Sequence, residues 1–355
     1  MSPSRRARRV LLIVVPVLVL ALGAGGYAAW RYTDLFTPDR LCGGAVATGD
    51  VQKVLGGGRV KVVDSSFSKD RADPQAACII DVGEGGGTAA ELTLRTHRVD
   101  ALDRDVTVDP GMSQPDRGPV GAFSNGTGWL MLPPGCRLPV RDRDRLAARD
   151  ADVLTVDVHH RGELADWQDV PAKETPSPET RAALARLAAG FGAAVAKSSG
   201  CGTADVPDVH LTAAGTSWQP AVDGQLCGLP GTGTGTGAQG LVQRVSDPAA
   251  PIRTCWVYDG TLNEPAIRFT SSTAARYPAL VAGPESLDKP LPAGWRGKGS
   301  DSVVLAPCGN GNVFLHLAGR DPYLDPAVPT RDTPLFRSWA DATGTGLGCG
   351  PLTPG

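Results

Sequence analysis

The sequence predicts an α+β protein: an N-terminal transmembrane helix followed by two related domains, each an antiparallel β-sheet with helices packed on a face, stapled by disulfides. Three observations carry this reading. A charge-free apolar run follows a cluster of arginines near the amino terminus. Eight cysteines fall into two sets of four with matching local contexts. In each half, strand-like runs precede a closing helix without regular βαβ alternation, the pattern of antiparallel sheets.

The apolar run is "VLLIVVPVLVLALGAGGYAAW", residues 10–30. At about 1.5 Å per residue it spans roughly 30 Å, the thickness of a bilayer's hydrocarbon core. Arg5, Arg6, Arg8 and Arg9 precede it and hold the amino terminus in the cytoplasm. Residues 1–9 are therefore read as a cytoplasmic basic segment, 10–30 as a single-pass signal anchor and 31–38 as a linker to extracellular domains. The competing reading is a cleaved signal peptide, with Gly26 and Ala28 as small residues at a cut site. Cys42 lies too far beyond the apolar run to form a lipobox.

Without residues 1–35 the chain keeps 30 basic and 36 acidic residues, a net charge near −6. Such a body is a poor ligand for a phosphate backbone, so nucleic acid is excluded as a partner. Outside the membrane, the eight cysteines are expected to be oxidised.

Those cysteines reveal an internal repeat. The first half runs Cys42 in "LCGG", Cys78 in "AACIIDVG", Cys136 in "PPGCR" and Cys201 in "GCG". The second runs Cys227 in "LCGL", Cys255 in "RTCWVYDG", Cys308 in "APCGN" and Cys349 in "GCG". The order of contexts matches although the intervals differ, as in a diverged duplication. This places the first domain at 39–202, a connecting segment at 203–224, the second domain at 225–350 and a tail at 351–355.

The elements follow in order. "GDVQKVLG" (49–56) reads as a short helix with Val51, Val54 and Leu55 on one side. Strands are read at 59–63, 77–82, 90–96, 129–132 and 153–159. A helix follows from Pro178 to about Ser199, with Ser177 as N-cap and Gly200 as terminator. Its Leu184, Leu187, Phe191 and Val195 recur at helical spacing. The second half gives strands at 241–245, 253–258, 266–270, 302–306 and 312–318, then a shorter helix from Pro334. "GTGTGTG" (231–237) stands where the opening helix would be and reads as a flexible loop. "GNGNV" (309–313) fits a hairpin turn.

Four cysteines allow three pairings in each half. The simplest joins each opening loop to its strand, Cys42–Cys78 and Cys227–Cys255, leaving Cys136–Cys201 and Cys308–Cys349. A closed loop of this size stabilises by roughly 4 kcal/mol in the chain-entropy model.

An opening Cys, a short helix ending in "LG" and a second Cys in a strand resemble uncharacterised secreted and lipoprotein ectodomains of actinobacteria. The likeness rests on "LCGGAVATGDVQKVLGGG" with "AACIID" and on "LCG" with "RTCWVYDG", covering 39–201 and 225–349. It implies a Mog1/PsbP-like α/β sandwich, a fold often used for binding. It carries no catalytic residues, and lipid attachment is not implied without a lipobox.

The search for chemistry begins with five histidines: His97, His159, His160, His210 and His316. In 153–159, Leu154, Val156 and Val158 alternate inward, leaving Thr155, Asp157 and His159 on the other face. His316 joins Phe314 opposite Val313, Leu315 and Leu317. An acid/base or metal cluster of Asp157, His159 and His160 is weighed against solvated residues on an outer face, and the second is preferred. The charge-dense "RDRDRLAARDAD" (141–152) reads as a solvated loop or short exposed helix. Trp218 is left open between an extra strand of the second domain and an interdomain contact. No catalytic, metal or cofactor site emerges.

The expected function is a membrane-anchored extracytoplasmic binding or interaction protein of the bacterial cell envelope, not an enzyme. Its partner would be an envelope protein or a small ligand in an interdomain cleft. The alternatives are an envelope hydrolase with an unrecognised site or a structural spacer.

Overall fold

Apolar residues on both faces of its central strands decide how this chain folds, because both faces of each sheet end up covered. The computed structural model describes residues 38–65, 76–84, 87–97, 108–142, 145–150, 153–160, 177–203, 205–232, 240–259, 267–282, 284–309, 311–319 and 334–353. The predicted membrane segment, 10–30, lies outside the described residues. Among those described, no helix is long and apolar enough to cross a membrane.

The first domain opens with β1 (Arg40–Leu41) paired to β2 (Val46–Ala47) around Cys42. Helix α1 (Thr48–Leu55) follows, ended by Gly56 in the left-handed conformation, φ 82°. Then come β3 (Arg59–Ser65), β4 (Ala77–Glu84), β5 (Gly87–His97), β6 (Gly121–Phe123) and β7 (Thr127–Met131). A separate hairpin, β8 (Arg137–Asp142) and β9 (Arg145–Asp150), precedes β10 (Val153–His160) and the long α2 (Pro178–Ser198). The sheet order is β3-β4-β5-β10-β7-β6, antiparallel throughout.

The second domain adds an edge strand β11 (Gln219–Pro220) and a 3₁₀ turn at Leu226–Gly228. It continues with β12 (Leu241–Val245), β13 (Ile252–Asp259), β14 (Ile267–Ser272), α3 (Tyr277–Val281) and α4 (Pro284–Leu287). It closes with β15 (Lys298–Gly299), β16 (Val303–Cys308), β17 (Gly311–Gly319) and α5 (Pro334–Gly346). Its order is β11-β12-β13-β14-β17-β16-β15. Leaving out β11, both sheets place six strands in one order counted along the chain: first, second, third, sixth, fifth, fourth.

The four bridges are Cys42–Cys78, Cys136–Cys201, Cys227–Cys255 and Cys308–Cys349, each within one half. This is the pairing the cysteine order favours. Cys42 (φ 54°) and Cys227 (φ 61°) are the two non-glycine residues at positive φ among the described residues. That backbone conformation costs a residue with a Cβ roughly 1–2 kcal/mol. Both opening cysteines adopt it, so the two loops share a turn as well as a bridge.

Helix α2 forms because Ser177 accepts a hydrogen bond from Thr180 N, Pro178 fits the first turn, and the body is rich in alanine. It is buried on almost every side. At Gly190 an added Cβ would lie 2.5 Å from Ala45 O, so the helix meets the opening loop backbone to backbone. Arg186 grips Asp50 of α1 through Nε and Nη2, at 3.1 and 2.6 Å to Oδ1.

Three apolar cores result. The first joins α1 and α2 to one face of the first sheet through Ile80, Leu92, Leu94, Leu154 and Phe191. Another joins α5 to one face of the second sheet through Phe269, Leu315, Phe336 and Trp339. Between them the two sheets present their remaining faces to each other, with Trp129, Met131 and Val153 against Ile252, Tyr277, Val303 and Phe314. The order of layers is helix, sheet, sheet, helix.

Two readings change and one left open is decided. The charged run at 141–152 supplies strand residues of the β8–β9 hairpin instead of a loop or helix: six facing pairs from Arg137↔Asp150 to Asp142↔Arg145 satisfy its backbone. Charge patterning does not report that pairing. Trp218 stands beside β11, which pairs with β12, so the extra-strand alternative holds. Thr155, expected on a solvated face, is buried because the second sheet covers it. The predicted 309–313 hairpin joins β16 to β17, while 233–239 of the glycine-rich run lie outside the described residues.

Gln114 ties the layers together. Fully buried, it donates from Nε2 to Ile252 O (2.6 Å) and accepts from Ile252 N at Oε1 (3.0 Å), as a neighbouring strand would. Gln114→Leu strands both backbone groups and is expected to cost about 3 kcal/mol. Urea unfolding of the variant should show this loss, with a smaller cost at exposed Gln219→Leu.

Candidate functional site

Aromatic side chains build the seam between the domains. Trp129 of β7 stacks on Tyr277 of α3 (centroids 6.2 Å, interplanar 14°), and Tyr277 meets Phe314 of β17 edge-on at 6.0 Å. Such pairs contribute about 0.5–1.5 kcal/mol each beyond the area they bury. Burial raises the pKa of Tyr277 well above that of a free phenol. Around this centre, Arg244 of β12 reaches Asp109 at 3.4 Å, and Arg276 donates from Nη1 to Leu132 O.

Beside the seam a cleft of about 440 Å³ opens between α2, the end of β7 and the residue pair Ala275–Arg276. This lies within the usual range for small-molecule pockets, about 300–1,000 Å³. Its floor is apolar, with Leu130 and Leu132 from the sheet and Ala189, Gly192, Ala193 and Ala196 from the helix. Arg276 stands at one lip, while exposed Asp205 also borders the opening. The small helix residues recur at three- and four-residue steps, so this buried face of α2 carries little side chain along the cleft. At Gly192 an added Cβ would meet Leu132 Cδ2 at 3.4 Å, an ordinary contact. Packing there does not require glycine.

The histidines are not gathered into one site. His97 Nε2 lies 2.9 Å from Thr155 Oγ1, His210 pairs with Asp208 at 3.0 Å on the surface, and His159 is exposed at the end of β10. The side chain of His160 lies outside the described residues. Asp157 accepts a hydrogen bond from Thr127 Oγ1 at 2.8 Å. Among the described residues no group of three His, Cys, Asp or Glu side chains is placed to hold a metal ion.

His316 shares a face of its strand with Phe314, as the alternation predicts. In β17 it faces Thr270 and Val303 across the strands and stacks on Phe314 at 6.2 Å. Surrounding protein lowers its pKa to about 4 by desolvation, although the ring keeps some exposure. Thr254, opposite Thr270, buries a hydroxyl without a hydrogen-bond partner, and so does Trp129 with its indole nitrogen.

Arg181, in the first turn of α2, is buried with Nε and Nη1 unpartnered. Burial chiefly, and then Arg244, lower its pKa. Those nitrogens have almost no accessible surface, so no ligand reaches them without movement of their cover.

Sequence reasoning expected an interdomain cleft but named none of the residues that line this one. Its main signal, Ala189, Gly192, Ala193 and Ala196, is indistinguishable in sequence from ordinary helix packing. Arg276, in the stretch before α3, belongs to no motif. Comparisons with family models, curated proteins and solved structures each found no match.

A neutral His316 in the folded state predicts acid sensitivity. With a folded pKa of about 4 against 6.5 for a free imidazole, its contribution is complete above pH 6.5 and is lost as pH falls from there toward 4. The partly exposed ring should account for roughly 2 kcal/mol of that loss. Denaturant unfolding at pH 7 and pH 4.5 should show a smaller pH penalty in His316→Gln than in the parent chain.

Proposed function

We propose that this chain is a membrane-anchored extracytoplasmic binding protein of a bacterial cell envelope, built from two diverged copies of one disulfide-bridged domain. The cleft beside their seam takes a small ligand. That cleft is the observation on which the reading rests: it is roomy, mostly apolar and bordered by charged groups from different parts of the chain.

Other features agree with this reading. Four disulfides suit an oxidising compartment. The arginine cluster and apolar run at 5–30 suit a single-pass anchor with its amino terminus inside. The shared strand order and the two left-handed cysteines support duplication. The resemblance to secreted actinobacterial ectodomains belongs to the same reading.

A protein partner is the second reading, favoured by Trp218. It is 45% exposed, packs edge-on against Tyr258 at 4.6 Å and lies under Arg244 at 5.7 Å. Trp, Tyr and Arg are the residue types that dominate binding interfaces.

The direct test is native mass spectrometry of the full-length chain extracted from its own membrane. A small-molecule adduct should accompany the parent chain and be lost in Ala193→Trp, which fills the cleft. An adduct indifferent to that substitution would remove the cleft from the reading. A photo-crosslinker at position 218 tests the second reading, which predicts capture of one envelope protein in intact cells.

A further inference from the structure

The cleft has a chemical polarity that narrows what it takes. Its inner wall offers hydrocarbon from Leu130, Leu132, Ala193 and Ala196. At the lip, the guanidinium of Arg276 is partly buried and fixed by its hydrogen bond to Leu132 O. That bond uses Nη1 and is the one hydrogen bond Arg276 makes among the described residues. The remaining N–H groups of a pre-positioned fork match a carboxylate, which accepts two parallel hydrogen bonds.

We infer that the cleft binds a small amphipathic carboxylate, its apolar body against α2 and β7 and its carboxylate on Arg276. The inference rests on the cleft being the ligand site. A single cation at the lip balances a singly charged head. A phosphate dianion would carry excess charge beside Asp205, which borders the same opening. Asp205 is exposed and therefore screened, so it contributes less than the anchored guanidinium. Tyr277, stacked on Trp129, follows Arg276 directly, so a bound acid would also brace the seam.

The experiment titrates the full-length chain in lipid nanodiscs with 4-phenylbutyrate and its neutral isostere 4-phenylbutyramide, with empty nanodiscs as blank. The acid should bind roughly tenfold more tightly, the gain of one charge-assisted contact. Arg276→Met should bring that ratio to about one, and Arg276→Lys should retain part of it; unchanged melting of both variants shows that folding is preserved. Ala193→Trp should abolish binding of both compounds. Equal binding of acid and amide, still blocked by Ala193→Trp, would overturn the carboxylate inference and leave the cleft reading standing. Binding that survives Ala193→Trp would overturn both. Tighter binding of 4-phenylbutylamine than of the acid would assign the lip to Asp205 and likewise overturn the inference.

Discussion

The packing of sheet against sheet is the constraint on which the remainder of the structure depends. Each sheet has one face for its own helix and a second that, alone, would expose an aromatic patch. Trp129, Tyr277 and Phe314 are each at most 2% exposed and belong to neither domain's own helix–sheet core. Separating the domains would return these rings to water together with the amide pair of Gln114 and Ile252. The domains are therefore mutually dependent, unlike beads on a linker, whose smaller and more polar contacts permit independent motion. The connecting segment obeys the same constraint. Thr212 N donates to Gln114 O at 2.7 Å while Gln114 N donates to Thr212 Oγ1 at 3.1 Å, and Gly215 N donates to Pro110 O where a Cβ would lie 2.0 Å from that oxygen.

Bridges and seam divide the work. Each disulfide closes a loop within one domain and holds an opening turn or a helix end onto its sheet. The second domain has the shorter closing helix and no counterpart of α1 among its described elements. Its opening turn is instead held by Gln243, whose Oε1 accepts from Cys227 N at 2.8 Å. The left-handed backbone at Cys42 and Cys227 opposes local preference, and in both places the surrounding loop and bridge prevail. Local conformation, covalent link and sheet register specify the same turn in each half, which is the consistency expected of a well-determined fold.

What the sequence disclosed follows from range. Strands with alternating apolar residues, such as Leu154, Val156 and Val158, and a helix announced by Ser177 and Pro178, are fixed by near neighbours and were legible. The cysteine pairing was legible because the two sets of four cysteines occur in the same order of local contexts. The short strands β6, β11 and β15 were not, since two or three residues carry no period and owe their pairing to a partner strand. The outer faces were misread for a related reason. Thr155 has the polarity of a surface residue, and nothing within its own strand reports that another sheet lies over it. The β8–β9 hairpin shows the limit of charge as a signal, because a run of charged residues is compatible with strand as well as helix.

The cleft depends on residues that are costly where they stand. Glycine inside a helix destabilises it by roughly 0.5–1 kcal/mol relative to alanine. At Gly190 that cost has a packing reason, since any side chain would strike Ala45 O. At Gly192 it does not: a methyl group would rest at ordinary contact distance from Leu132 and add helix propensity. The same face carries Ala189, Ala193 and Ala196, although larger apolar groups would fill the space and bury more surface. A helix selected for packing alone would close this gap. The gap beside an anchored arginine is therefore what the proposed ligand site rests on, and it lies where the two sheets already constrain each other.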